Sequence, residues 1–273
     1  MADIAGLYHE EHGPADAEPL LLSPGLGGLG NFWRPNIAAL AERYRVIVFD
    51  HRGTGRSDRT IGETTDIADI AADMLRLLDG LGIDRAHVAG QAVGGLAGLI
   101  LALDAPARIG SLTVINGWSR PDAHLHRCCD LRLALLHDGG AEAYLRAQPI
   151  FMYPARWIPE HEGELASETE LHLAQLAGIP TKEKRSEMLR RFDVDDRLGG
   201  IGAPVLLISA EDDMLVLPSC SERLAKRIPD AEHVALRFGG HACSVTDPAR
   251  VNALMLDFLS RHPIGDPPIV CPV

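Results

Sequence analysis

The sequence reads as an α/β protein, a mostly parallel central sheet flanked by helices, and three observations predict it. Short β-branched or leucine-rich runs recur along the chain, and the longer stretches between them carry apolar residues at helical spacing. Two of the runs, Val46-Ile47-Val48-Phe49 and Val205-Leu206-Leu207-Ile208, are apolar throughout. Alternating strand and helix patterns indicate βαβ connections. Strands without a polar side need cover on both faces, which crossover helices supply.

In chain order, Gly6 to His12 is expected as an antiparallel edge, followed by strands at Leu20–Ser23, Arg45–Asp50, Arg85–Ala89, Leu112–Asn116, Val205–Ser209 and Val234–Phe238. Ile67, Ile70, Ala71, Met74, Leu75 and Leu78 recur at helical spacing, and Gly82 is a stop signal, so a crossover helix is expected over Ile67–Leu81. From Arg120 to Leu198 arginines, acids, histidines and aromatics mix without a strong strand pattern. This segment is expected to be a helical lid inserted after strand 6, the one ending at Asn116. A last helix is expected near Pro248–Arg261. The predicted organisation is one domain: a core over 1–119 and 199–262, a lid over 120–198, and a loosely ordered Pro-rich tail over 263–273.

The chain has 273 residues, 46% hydrophobic and 23% charged, which suits a globular protein with a substantial core. Its net charge of −12 opposes a nucleic-acid partner, because phosphate backbones are bound by clustered Lys and Arg. The longest apolar stretch, Val93 to Leu103, is shorter than the ~20 residues a bilayer requires and contains three glycines, so no membrane partner is expected. Met1–Gly6 has Asp3 where an export signal would carry positive charge. Five cysteines without CxxC spacing, two of them adjacent at Cys128 and Cys129, fit a reducing cytoplasm. A small-molecule substrate is expected, and a homodimer is compatible with these readings.

The most informative stretch is Val88-Ala89-Gly90-Gln91-Ala92-Val93-Gly94-Gly95, which fits G-x-S-x-G except at its centre. In that motif the central residue occupies a strained strand-to-helix turn, and glycines flank it because the turn leaves no room for a β-carbon. Upstream, Pro24-Gly25-Leu26-Gly27-Gly28 follows a strand and can present backbone N–H groups to a carbonyl oxygen. The amides of Leu26 and Val93 are the candidate oxyanion donors. Downstream, Asp213 and His241 each follow a strand in the acid-then-histidine order of α/β-hydrolases. A carboxylate at Asp213 can accept the Nδ1 proton of His241 and leave Nε2 free to act as a base near Ala92.

Other residues fit ordinary structural roles as well as functional ones. Gly27, Trp33, Trp118 and Arg127 are the candidate substrate-binding residues, with Arg127 suited to a carboxylate. Trp157 reads equally well as core. His51 to Ser57 is expected to hold a turn. Cys220 and Cys243 lie away from the elbow and are not expected to replace its nucleophile. His124-Leu125-His126 lacks an obvious third ligand, so neither a metal nor another cofactor is expected. Gly25 to Gly30 fits G-x-G-x-x-G with Asp50 beyond, yet Phe32, Trp33 and Pro35 stand where a dinucleotide motif needs a small-residue helix.

Gly25-Leu26-Gly27-Gly28, Arg52-Gly53-Thr54-Gly55, Asn116-Gly117-Trp118, Ala147-Gln148-Pro149, Tyr153-Pro154-Ala155-Arg156-Trp157, and above all Gly239-Gly240-His241-Ala242-Cys243 with Val245-Thr246-Asp247-Pro248 form a set of motifs spread over nearly the whole chain. In these motifs the chain resembles the RutD family of pyrimidine-utilization proteins within the α/β-hydrolases. The resemblance implies the α/β-hydrolase fold and, in the pathway that takes nitrogen from uracil, hydrolysis of carbamate to bicarbonate and ammonia, or of aminoacrylate. The elbow of that family often reads Gly-His-Ala-x-Gly. Ala92 agrees with it, and Gln91 departs from its histidine.

Alanine cannot attack a carbonyl, so an acyl-enzyme at residue 92 is excluded by covalent chemistry. The expected mechanism is direct attack by water or proton transfer through His241. Two other readings fit the same residues: a serine esterase or lactonase whose nucleophile has been replaced by Ala92, and a non-catalytic protein that uses the pocket to bind a ligand.

Overall fold

The computed structural model describes residues 3–175 and 178–265, and an eight-stranded sheet lies at its centre. The strands are β1 (Asp3–Ile4), β2 (Leu7–His12), β3 (Pro19–Ser23), β4 (Arg45–Phe49), β5 (Ala86–Gln91), β6 (Ile109–Ile115), β7 (Val205–Ala210) and β8 (Glu232–Leu236). Their spatial order is β1-β2-β4-β3-β5-β6-β7-β8. β2 pairs antiparallel with β1 and β4, and the remaining neighbours are parallel. All the expected strands are present, with ends shifted by a few residues. β5 runs on to Gln91 because Gly90 pairs with Val114 and Gln91 with Ile115, which delivers the chain to Ala92 at the sheet's carboxyl edge.

Side-chain alternation along the strands divides the core in two. Leu21, Ile47, Val88, Leu112 and Leu207 pack on one face with α2 (Ile67–Gly80) and α3 (Val93–Asp104). Leu20, Leu22, Val46, Val48 and Ile208 pack on the other with α1 (Arg34–Ala41) and, near the C-terminus, Pro248–Arg261. α2 starts cleanly because Asp66 and Asp69 form a reciprocal capping box.

Between β6 and β7 lie three helices: α4 (Ala123–Met152), broken at Gly140 where φ is 73°, α5 (Glu162–Gln175) and α6 (Ile179–Arg191). The two ends of this lid meet at one point. The Ser119 hydroxyl donates to Asp195 at 2.6 Å, Val194 N–H donates to the Ser119 carbonyl at 3.0 Å, and Arg223 Nε reaches Asp195 at 2.6 Å. Arg223 belongs to α7 (Pro218–Arg227), which is followed after β8 by α8 (Cys243–Thr246) and α9 (Pro248–Arg261). The expectation of a loose tail falls mainly on residues 266–273, outside the described residues. Ile264 is docked, its N–H donating to Glu18 at 2.7 Å.

Trp33 and Arg127 lie elsewhere than expected of substrate-binding residues. Trp33 does not reach a ligand cavity: it is wholly buried in the α1/α9 core. The tight 3-10 turn Gly30–Trp33 directs Asn31, Phe32 and Arg34 to the cavity and Trp33 away from it. Arg127 is exposed on the outer side of α4, whose inner side carries Leu125, Cys128, Cys129 and Arg132.

Candidate active site

At the junction of β5 and α3, Ala92 has φ 46° and ψ −113°, a strained conformation for a residue with a β-carbon. It is held from both sides, its N–H donating to the Ile115 carbonyl (2.8 Å) and its carbonyl accepting from Leu96 N–H (2.9 Å). The glycine spacing follows from sterics. A β-carbon at Gly90 would collide with the backbone of Gly94 and Gly95, and one at Gly94 with the Ser23 carbonyl. The turn therefore points the Ala92 methyl to the cavity and leaves the Val93 amide at the positive end of α3, among the N–H groups that have no partner within a helix.

His241 and Asp213 meet at this turn. Nδ1 of His241 lies 2.8 Å from Asp213 Oδ2, and both side chains are buried. The other carboxylate oxygen accepts from Leu215 N–H (2.7 Å) and Val216 N–H (2.9 Å), so Asp213 is fixed in rotation. With Asp213 Oδ2 accepting from Nδ1, the imidazole is held in one orientation and Nε2 is the ring nitrogen left without a protein partner among the described residues.

The backbone behind His241 is clasped as well. Its carbonyl accepts from Gln91 Nε2 (2.7 Å) and Asn116 Nδ2 (2.8 Å), while Asn116 Oδ1 accepts from Ala210 N–H (3.1 Å). Asn116 thereby ties the ends of β6 and β7 to the histidine loop from a left-handed conformation (φ 50°) that asparagine tolerates.

Gly25 to Gly28 form a tight turn after β3, closed by Gly28 N–H donating to the Gly25 carbonyl at 3.0 Å. The Leu26 carbonyl is gripped by the guanidinium of Arg185, from lid helix α6, at 2.9 and 3.1 Å. Arg185 also donates to His51 Nδ1 at 3.1 Å, and the Ser23 hydroxyl lies 3.1 Å from Nε2 of the same ring. Burial, reinforced by the Arg185 charge, holds His51 well below the ordinary imidazole value. His51 is thus a neutral strut that supports the loop, in keeping with its expected role in a turn.

These elements enclose a cavity of about 380 Å³ lined by Gly25, Leu26, Gly27, Gln91, Ala92, Val93, Trp118 and His241 from the core, and by α4, α5 and α6 from the lid. Leu26, Gly27, Ala92, Val93, Trp118 and His241 are thus brought together, with Asp213 behind the histidine. Trp157 stacks between Tyr153 and His161 and does not line this cavity. Burial pushes the thiols of Cys220 and Cys243 up to about 12, which keeps them protonated and poor nucleophiles. Asp50 accepts from Gly30 N–H and from the backbone and Nε of Arg56 at 2.8–3.1 Å, so it fastens a turn. Among the described residues no cluster of three His, Cys, Asp or Glu side chains could hold a metal ion, and His124 Nε2 is engaged with the Met214 carbonyl.

Sequence reasoning missed Gln91, Asn116 and Arg185 as positioning groups. Asn116 follows an apolar strand and precedes Gly117, which marks a turn but not its partners. Arg185 shares a helical face with Met188 and Leu189, a periodicity that points it inward.

Residues 18–248 match the family described as alpha/beta hydrolase fold. The RutD protein of Caulobacter sp. strain K31, named provisionally as a carbamate hydrolase, is 49% identical over 94% of this chain and 97% of its own length. A protein of the same name from Variovorax paradoxus strain S110 is 50% identical over 93% of this chain and 96% of its own. Among solved structures, the enol-lactonase of Burkholderia xenovorans LB400 superimposes with a TM-score of 0.86 at 26% identity, covering 95% of this chain and 99% of that one.

Proposed function

Because this chain belongs to the RutD family of α/β hydrolases, we propose that it hydrolyses a small C–N substrate, carbamate foremost, by moving protons through His241 without a covalent stage. The observation that carries this reading is the 2.8 Å Asp213–His241 pair beside a cavity whose elbow residue, Ala92, has no hydroxyl to activate. The net reaction joins carbamate and water to give bicarbonate and ammonia. Water takes the space beyond the Ala92 methyl, and His241 Nε2 removes its proton as the new C–O bond forms. The Leu26 and Val93 amides stabilise the oxygen on which charge accumulates. As the C–N bond breaks, the same imidazole returns the proton to nitrogen, so ammonia leaves and the ring is regenerated.

Magnitudes favour a substrate of this kind. Serine hydrolases stripped of triad members keep roughly 10³–10⁴-fold catalysis from the oxyanion hole and binding. That is small for an ester or amide, and sufficient for an anion that decomposes unaided. The reaction fits a place in pyrimidine nitrogen catabolism, where such labile C–N compounds arise. Freshly made carbamate, with ammonia and bicarbonate release corrected for spontaneous decay, is the test. Acceleration with carbamate and none with a panel of chromogenic esters is expected; ester turnover with a covalent intermediate would overturn the reading.

A further inference from the structure

The cavity is larger than carbamate requires, and its lid side carries positive charge for which the core chemistry has no use. At about 380 Å³ it falls in the range of pockets that take molecules well above the size of bicarbonate. Arg132, on α4, is buried and lines it. Its Nη2 donates to Gln148 Oε1 at 2.6 Å and to the Tyr144 hydroxyl at 3.2 Å, and its Nε is buried without an acceptor. The guanidinium also lies 5.7 Å and 5.8 Å from the ring centroids of Tyr144 and Phe151, so aromatic and amide neighbours aim it while none neutralises it. Lys182, on α6, lines the same cavity with its ammonium 5.9 Å from the Tyr144 ring.

Among the described residues neither cation has a carboxylate within ion-pair distance. Glu168, the acid on the cavity wall, pairs with neither. Its carboxyl is raised by burial and by the charge of Glu164. In a chain of net charge −12, this is a local excess of positive charge. Burial, and then the charges of Arg185 and Arg132, push the Lys182 amine down to about 7, the response of an ammonium that lacks a counter-ion. A buried cation left unpaired is costly, and an anion held between Arg132 and Lys182 would remove that cost.

We infer that the lid half of the cavity is a carboxylate subsite in which Arg132 and Lys182 bind the acid group of a small organic acid, leaving the rest of the ligand in the same cavity as Ala92 and His241. This rests on the cavity being the substrate site and not on carbamate being the substrate.

Equilibrium binding of propionate and its neutral isostere propionamide to the full chain tests it. Propionate is expected to bind about tenfold or more tightly than propionamide. Arg132→Gln and Lys182→Met should each weaken propionate by about tenfold while propionamide stays unchanged, and His241→Ala should keep the preference. Equal binding of the two probes by the parent would overturn the inference. So would parental propionate affinity in natively melting Arg132→Gln and Lys182→Met, or loss of propionate in His241→Ala alone. If Arg132→Gln does not fold, Lys182→Met decides on the same terms. Propionate preference in a protein that leaves carbamate at its spontaneous rate would keep the subsite and reject the carbamate reading; carbamate turnover without the preference would do the opposite.

Discussion

At the scale of single residues, one absent hydroxyl, at Ala92, separates this site from that of a serine hydrolase. Everything a serine would need surrounds Ala92: the strained turn, the Val93 amide at the start of α3, and His241 held by Asp213 at 2.8 Å. Ala92→Ser is therefore expected to create a nucleophile. A fluorophosphonate probe should label that variant and not the parent, as read by intact mass, and an unlabelled Ala92→Ser protein would mean that the imidazole does not reach the elbow. Asp213→Asn tests the tautomer. The asparagine carbonyl would keep accepting from Leu215 and Val216, turning its NH₂ toward Nδ1, so the imidazole proton would move to Nε2 and the base would be lost. Carbamate turnover should fall by about 10²–10⁴-fold with little change in thermal stability. The elbow was legible in the sequence because sterics write glycine at 90 and 94 whatever occupies 92. Trp33 and Arg127 were not, because their proximity to motif residues says nothing about which way a turn or helix faces.

At the scale of elements, the informative signal is helical phase. Leu125, Cys128, Cys129 and Arg132 follow the i, i+3, i+4, i+7 spacing of one face, as do Lys182, Arg185, Ser186 and Leu189. α4 and α6 thus each turn a cation toward the interior along with their apolar residues. Hydrophobic patterning alone passes over them, since it scores a charge as a surface position. The lid is anchored at its base by Asp195, buried against Ser119, Arg223 and Arg227. The Arg223 hydrogen bond foremost, then that of Ser119 and the charges of Arg223 and Arg227, hold its carboxyl far below the usual carboxylate range. A depressed folded-state pKa stabilises the protein above the unfolded value, near 4, and that contribution is lost as pH falls toward the folded value. Asp195→Asn should therefore cost about 2–4 kcal/mol at neutral pH and less as pH drops below about 4, as measured by denaturant unfolding across that range. A constant deficit down to the lowest accessible pH would contradict the anchoring role.

At the scale of the whole molecule, strand order places the site. β3, β5, β6 and β7 lie side by side and end at one edge, so the Gly25–Gly28 turn after β3, the Ala92 elbow after β5 and the Asp213 loop after β7 converge there, joined by the His241 loop after β8. The alternation of apolar runs and helical stretches made this architecture legible, because buried parallel strands leave no polar face to disguise them. The interior of the lid was less so. Its helices carry charge on both sides and α4 breaks at Gly140, so residues 120–198 read as a helical segment without an internal plan. Charge balance was likewise silent on the cavity, since a net charge of −12 sums the whole chain and the cations lining the cavity are few.

The most direct measurement follows carbamate loss in buffer, with the parent and with His241→Ala at matched concentration, while intact protein mass is monitored through turnover. A parent rate above that of buffer, a fall of about 10²-fold or more in the variant, and an unchanged mass are the predicted result. Equal rates for the two proteins, or a protein that gains mass during turnover, would contradict catalysis by proton transfer through His241.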